Sequence, residues 1–228
     1  MNVKKERETL LNMLKTKSSL KQDVFQNTQH WFAVLKEELE KCIASLSDQV
    51  TDRRIRFRYN DQGAAEAQLY LGSDILIFHM HSNVFRLAPT DYATQTSYVQ
   101  NDPSNAYCGV INIYNFLADS YQYNRPNDTG YLICRIFINK ENRFKVEGRG
   151  KLDYLYKNFI NQKLTADILH EIILNIGIHA LDFDLLTPPY EAVSQVSVGE
   201  LQELSSNTRL KTGKRLGFQF QADTNLDA

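Results

Sequence analysis

The hydrophobic periodicity of this chain changes twice, and the order of the resulting blocks restricts the fold more than any single motif does. Residues 1–47 carry an apolar stripe at spacings of four or seven residues, which is typical of a buried helix face. From Asp52 onward, short runs with two-residue alternation lie between turn-forming clusters, which indicates consecutive strands. Helical spacing returns after Gly150. The stripe residues of the first block are Met13, Leu20, Val24, Trp31, Leu35, Cys42 and Leu46.

Helices, then consecutive strands, then helices predict an α+β fold rather than an alternating α/β fold. We expect a helical N-terminal arm, an antiparallel sheet of about six to eight strands, and C-terminal helices packed on one face of that sheet. The arm corresponds to residues 1–50 and the α+β domain to residues 51–228, with the arm packed on the domain as one compact unit. A chain of 228 residues is long enough to bury such a core.

Local signals predict the ends of several elements. The Ser-x-x-Gln pattern at residues 19–22 matches a capping box, so we expect the arm to split into a short helix and a longer one that starts near Leu20. The Ser-x-x-Glu pattern at residues 197–200 predicts a second capped helix that runs to about Leu204. Residues 216–220 read as an edge strand, and residues 222–228 as a frayed end.

One C-terminal helix is predicted with a clear start. Thr165 is a good N-cap residue, and Asp167 places a carboxylate in the first helical turn. The helix should run to about Leu181. Because the segment is apolar nearly all round, we expect it to be central and well buried.

Charge and cysteine content limit the function classes. The net charge of −1 gives no long-range attraction to nucleic acid or to an anionic membrane surface. No apolar run approaches the roughly 20 residues of a membrane-spanning helix, and the charged N-terminus does not resemble a secretory signal. Three widely spaced cysteines without a CxxC motif fit a reduced cytoplasmic protein.

His79 and His81 stand two positions apart in the apolar run ILIFHMHSNVF and therefore share one side of a predicted central strand. Two imidazoles on one strand face are a known arrangement of metal ligands, but a zinc or iron site needs a third ligand and usually a fourth. The glutamate that follows the second histidine in the cupin pattern is absent, since Phe85 and Arg86 occupy the corresponding positions. Hydrogen-bonded histidines on a sheet face are the favoured interpretation.

Arg54, Arg56 and Arg58 alternate with apolar residues over residues 54–59, which predicts one half-buried strand with three guanidiniums on the same face. Such a row can contact phosphates or carboxylates. It is also typical of an edge strand that is kept charged to prevent sheet-to-sheet association. Nucleic-acid binding through this row is therefore an alternative that the neutral net charge disfavours.

Seven tyrosines lie between residues 92 and 131, and four of them fall in two polar segments at 89–105 and 117–130. Tyrosine mixed with Asn, Asp and Ser on long connections is the composition of adaptable recognition surfaces. Packing of the rings into the sheet core explains part of this cluster, but it explains Tyr121 and Tyr123 less well. The residues predicted to contact a partner are Tyr98, Tyr121, Tyr123, Arg125, Arg54, Arg56 and Arg58.

The favoured prediction is a non-enzymatic cytoplasmic binding or assembly module that recognises a partner protein or a second copy of itself. The chain contains no GxSxG, HExxH, SxxK, P-loop or GxGxxG motif, and we expect no cofactor. One alternative is a metal-dependent enzyme centred on His79 and His81, with Asp182 or His179 as a further ligand. The other is a nucleic-acid-binding protein that uses the arginine row.

Overall fold

The structure is a computed structural model that describes residues 3–183, 187–199 and 201–202. Its α-helices are α1 (Val3–Met13), α2 (Ser19–Leu46), α3 (Ser97–Asn101), α4 (Ala118–Gln122), α5 (Lys151–Leu155), α6 (Ala166–Leu181) and α7 (Tyr190–Val193). Its strands are β1 (Phe57–Asp61), β2 (Glu66–Leu71), β3 (Asp74–Met80), β4 (Phe85–Arg86), β5 (Tyr107–Leu117), β6 (Tyr131–Asn139) and β7 (Phe144–Gly148). The predicted edge strand at 216–220, the end at 222–228, Glu200 and Leu204 lie outside the described residues.

The strands form one antiparallel sheet in the order β1-β2-β3-β5-β6-β7. The short β4 pairs with β5 next to the place where the β3 pairing ends. Strand β3 is central, as predicted, because it lies between β2 and β5 and both of its faces are buried at Ile75 and Leu76. The predicted α+β fold with an antiparallel sheet of six to eight strands is confirmed.

Helices α2 and α6 cover one face of the sheet and form the main core with it. Every second residue of the central strands points to this face, and these residues are aliphatic or aromatic, as at Leu76, Phe78 and Ile111. The arm stripe supplies Leu35 and Cys42 from α2 to the same core, and Leu39 of the same helix joins them. Complete burial of each such side chain contributes about 1.5–3 kcal/mol to the free energy of folding.

The N-terminal arm is one continuous helical stretch. A π-helical turn, Leu14–Ser18, joins α1 to α2, and Ser18 itself has helical backbone angles with no side-chain cap. The predicted capping box at residues 19–22 is therefore wrong, because the chain stays helical through the place where a cap would interrupt it. Helix α1 buries none of its residues and leaves Val3, Leu10, Leu11, Met13 and Leu14 exposed.

The predicted N-cap of α6 is confirmed, since the Thr165 side chain accepts a hydrogen bond from the Ile168 N–H. The predicted burial holds on one side of the helix only, where Leu169, Ile172 and Ile176 lie in the main core. Leu174, Ile178 and Leu181 are 38%, 64% and 59% exposed, because the sheet and α2 cover only one side of the helix. The apolar composition of this segment therefore predicts more burial than α6 has in the structure.

The second face of the sheet is covered only in part. Residues 87–106, predicted as a loop, contain α3 and two 3-10 turns, and they bury Cys108, Val110 and Phe137 at one end of the face. At the opposite end, α4 and Phe116 pack over Tyr70 and Ile75. The central part of the face lies open between these two covers.

Cys42, Cys108 and Cys134 are all free and buried. Burial raises the pKa of each of these thiols above its usual value, which favours packing over reactivity. Among the described residues, no helix combines the length and the apolarity needed to cross a membrane.

Candidate functional site

Five polar side chains cross the open part of the second face in one row. The strand register places Glu66 opposite His79, His79 opposite Asn112, Asn112 opposite Arg135, and Arg135 opposite Glu147. Each residue belongs to a different strand, from β2 to β7. Side chains directly opposite one another on antiparallel strands are about 4.5–5.5 Å apart at Cβ, so the row is continuous.

Asn112 is the most unusual member of this row. Its side chain lies between His79 and Arg135 and is only 8% exposed, yet it makes no hydrogen bond to any described residue. Among the described residues, neither amide atom of Asn112 is one of the fully buried side-chain atoms without a hydrogen-bond partner, so the amide still reaches solvent at the surface. Asn112 therefore has unused donor and acceptor capacity on the floor of an open surface.

A groove of about 420 Å³ begins at Asn112, and we call it the open-face groove. Strands β5, β6 and β7 form its floor, and the chain from His81 to Asp91 forms one wall. The His81 and Phe85 rings meet edge to face at 4.8 Å between centroids and stiffen this wall. The lining residues are His81, Phe85, Arg86, Leu87, Ala88, Asp91, Val110, Asn112, Tyr114, Leu132, Arg135, Phe137 and Glu147.

A chain of alternating charges holds one end of the groove. Glu147 accepts hydrogen bonds from both Arg135 and Lys145, and Lys145 donates a second one to Asp91. The Lys145 side chain is only 2% exposed, and its ammonium lies 4.9 Å from the centroid of the Phe137 ring. Because these groups neutralise one another, they fix the shape of the groove rather than offer a free charge to a ligand.

The structure places the two predicted histidines in different environments. His79 is half-buried within the polar row, whereas His81 lies just past the end of β3, where its Nδ1 accepts a hydrogen bond from the Asn83 N–H at 3.0 Å. The His81 ring is thus hydrogen-bonded within the turn that follows β3, whereas His79 lies in the strand itself. In the described part of the chain, no three His, Cys, Asp or Glu side chains are grouped so that they could hold a metal ion.

The three predicted arginines do not form one row. Strand β1 begins at Phe57, so the strand predicted for residues 54–59 is wrong at its start, and Arg54 lies in the preceding turn, paired with Asp52 at 2.6 Å. Arg56 donates to Asp119, and Arg58 lies 4.3 Å above the Tyr70 ring. Three guanidiniums with three separate partners do not present a shared phosphate-binding face.

Tyr121 lies at the border of the open part of the second face. Its ring meets Phe116 edge to face at 5.6 Å, and burial, followed by the charge of Glu66, raises the pKa of its hydroxyl. Tyr123 is 43% exposed one turn further along the chain.

Arg125 is held inside the same segment. It forms an ion pair with Asp128 at 3.1 Å, and Ser120 donates a hydrogen bond to the same carboxylate. The arginine therefore shapes the turn that carries Tyr121 and Tyr123, and its charge is already paired.

Tyr98 lies apart from these tyrosines, at the turn between β6 and β7. Its hydroxyl donates to Glu141 and accepts from Asn139, while the Arg143 guanidinium lies 4.6 Å from its ring centroid. Burial raises the pKa of Tyr98 to about 12. This hydroxyl is fully engaged in holding the 89–105 segment, so the structure does not bring Tyr98 together with Tyr121.

Sequence reasoning did not single out Asn112, Arg135 or Glu147. A signal for two of them exists, because Asn112 stands between Ile111 and Ile113, and Arg135 between Cys134 and Ile136, in strands that are otherwise apolar. A polar residue at a buried strand position needs an explanation. Only the strand register of the structure shows that Asn112 lies opposite Arg135 and that Arg135 lies opposite Glu147.

Comparison with family models, with curated protein sequences and with solved structures finds no match to this chain. The functional argument therefore rests on the geometry of the open face.

Proposed function

We propose that this protein is a non-enzymatic binding module that holds an extended segment of a partner protein in the open-face groove. The observation that carries the proposal is the Asn112 amide on the groove floor, which reaches the groove and makes no hydrogen bond to any described residue. An amide side chain presents a donor and an acceptor at one planar end, so it matches the N–H and C=O groups of a main chain. A bound peptide group would take the place of the water that contacts this amide.

The surroundings of Asn112 favour a polypeptide over a small charged ligand. Tyr114, Leu132 and Phe137 give the groove apolar surface on either side of the amide. The nearby charges of Arg135 and Glu147 are paired with each other. A partner segment with alternating apolar side chains would bury this surface while its main chain lies along the polar row.

The tyrosine-bearing segment forms the outer part of the same proposed surface. Tyr121 and Tyr123 are 41% and 43% exposed, and the contact of Tyr121 with Phe116 places it on the groove side of the sheet. Aromatic rings held in this way supply contact area at low entropic cost. We therefore propose that Tyr121 and Tyr123 contact the flanks of the bound segment, and that Tyr98 does not.

The proposal also assigns the protein to the cytoplasm. Its support is the presence of three buried cysteines that all remain free. Proteins of oxidising compartments usually pair their cysteines in disulfides.

The test uses a displayed library of random linear peptides, selected on the immobilised full-length chain. Peptides that bind are then titrated by fluorescence polarisation against the wild type and against Asn112→Ala. We expect the substitution to weaken binding by about tenfold, since it removes one or two hydrogen bonds of about 1 kcal/mol each. Asn175→Ala is the matched control, because Asn175 is only partly buried on α6 and does not line the groove.

Two outcomes would refute this function. One is a selection that yields no peptide with saturable binding to the wild type. The other is a set of peptides that bind Asn112→Ala and Asn175→Ala with equal affinity. A Tyr121→Ala variant that binds the selected peptides as well as the wild type does would refute the contribution of the tyrosines alone.

A further inference from the structure

A second concavity, of about 570 Å³, lies where the N-terminal arm passes the edge strand β4, and we call it the basic cleft. The arm contributes the π-helical turn and the start of α2, and the body contributes β4, the start of β5 and Lys140. The lining residues are Lys15, Thr16, Lys17, Ser19, Leu20, Asp23, Arg86, Pro103, Ser104, Tyr107 and Lys140.

The basic cleft is positively charged, although the chain as a whole is nearly neutral. Four of its lining residues are cationic and one is a carboxylate, although the whole chain has a net charge of −1. Lys140 is neutralised by Asp102 at 2.8 Å. Lys15, Lys17 and Arg86 take part in no ion pair within the described residues. Three unpaired cations that line one cleft repel each other, and a bound anion would relieve that repulsion.

The backbone of the arm is adapted at this cleft. The helix departs from α geometry only at Leu14–Ser18 within the described stretch from Val3 to Leu46, and this π-helical turn carries both Lys15 and Lys17. A single π-helical turn inside an α-helix is rare and occurs frequently at functional sites. Both lysines line the cleft together with residues of the body.

We propose that the basic cleft binds a compact anion of the phosphate class. Lys15, Lys17 and Arg86 would pair with its charged oxygens, and Arg86 can do so with two parallel N–H donors. The Ser19 and Tyr107 hydroxyls form no hydrogen bond to any described residue, so both can donate to the same anion. The ion pair of Lys140 with Asp102 holds the far wall in place. This site is separate from the open-face groove in its residues and in its ligand chemistry.

The test is a calorimetric titration of the full-length chain with inorganic pyrophosphate at low salt. We expect saturable binding that the double substitution Lys15→Gln/Lys17→Gln weakens by at least about tenfold, because it removes two charge-assisted contacts. The double substitution Lys4→Gln/Lys5→Gln is the matched control, since it removes the same charge from the same exposed arm outside the cleft. We expect the control to bind pyrophosphate as the wild type does.

Arg86→Gln tests the body side of the cleft and should weaken pyrophosphate binding without any change in the arm. Asn112→Ala should leave pyrophosphate binding unchanged, so failure of the peptide-binding function and failure of this site are distinguishable. The proposal is overturned by the absence of binding at millimolar pyrophosphate, or by equal losses in the two lysine variants. It is also overturned if succinate binds equally well, or if a single-stranded oligonucleotide binds more tightly through the same lysines.

Discussion

The Arg56 guanidinium donates a hydrogen bond from Nη2 to Oδ1 of Asp119 at 2.9 Å, and the Asp119 side chain is completely buried. This contact joins the chain just before β1 to the first turn of α4, 63 positions away. It anchors the segment that carries Tyr121 and Tyr123 to the sheet. Arg56 thus has a structural partner, although its sequence context suggested a ligand-binding role.

Removal of Arg56 should destabilise the protein much more than removal of its neighbour in the same motif. Arg56→Gln leaves the Asp119 carboxylate buried without a counter-charge, so we expect the free energy of unfolding to fall by about 3 kcal/mol. Arg54→Gln breaks only an exposed ion pair with Asp52 and should leave stability unchanged. Urea unfolding followed by circular dichroism compares the two variants, and equal midpoints would contradict the structural role of Arg56.

The buried ammonium of Lys145 supports a second prediction. Lys145→Met leaves the Asp91 and Glu147 carboxylates without their shared cation, and we expect a loss of about 3 kcal/mol in the free energy of unfolding. The double substitution Lys145→Met/Asp91→Asn should recover part of this loss, because Asp91 is the carboxylate left without a counter-charge while Glu147 keeps its ion pair with Arg135. Lys151→Met, at an exposed position in α5, is the control. A Lys145→Met protein with wild-type stability in urea would show that the network is not formed.

Asp102 gives stability a defined dependence on pH. Hydrogen bonds from Lys140 and then from Ser104 lower the pKa of this carboxyl from 3.8 to about 2. A carboxyl with a lowered pKa in the folded state stabilises the protein above its unfolded pKa, and this contribution is lost as the pH falls through the folded value.

Asp102→Asn should therefore lower stability near neutral pH, and the difference from wild type should shrink as the pH falls from about 4 to about 2. The effect at neutral pH should be at most about 1 kcal/mol, because the Asp102 side chain is 48% exposed and solvent screens it. Urea unfolding over a pH series measures the difference. In a Lys140→Met background, the stability difference caused by Asp102→Asn should depend less on pH than it does in the wild type. If the pH dependence is the same in both backgrounds, Lys140 is not the main cause of the lowered Asp102 pKa.

The sequence was informative wherever a few neighbouring residues determine the structure. The apolar run around Ile75 predicted a central strand, and the hydroxyl of Thr165 predicted the start of α6, because these signals depend on local geometry. The alternation of charged and apolar residues over 54–59 predicted a strand that starts too early, since β1 begins only at Phe57. Charged residues at every second position also occur in turns, so this spacing alone does not identify a strand. The Ser-x-x-Gln pattern at residues 19–22 also gave a wrong prediction. The residues before Ser19 are helical, so there is no helix start at Ser19 for its side chain to cap.

The candidate site depends on information that no local window contains. Glu66, His79, Asn112, Arg135 and Glu147 become neighbours only through the register of four successive strand pairs. Register is decided by the burial pattern of whole strands. The sequence could therefore predict a sheet with two unusual histidines, but it could not predict which polar residues would lie beside them.

Two glycines give the final prediction, and their effects should have opposite signs. A Cβ added at Gly109 would lie 1.9 Å from Thr28 Oγ1 and 2.8 Å from Thr28 Cβ, so side-chain rotation cannot relieve the contact. Gly109→Ala should force α2 away from β5 and cost about 2–3 kcal/mol. Thr28→Ala should recover only part of this cost because the Cβ contact remains.

At Gly177, by contrast, an added Cβ would meet only Leu71 Cδ1 at an ordinary distance of 3.5 Å. Gly177 lies inside α6, where alanine restricts the unfolded chain and favours the helix. Gly177→Ala should therefore stabilise the protein by about 0.5–1 kcal/mol. Thermal and urea unfolding of both variants measure the two effects. Since Thr28 of α2 packs directly against Gly109 of β5, a Gly109→Ala protein as stable as Gly177→Ala would contradict the packing of the helical arm on β5.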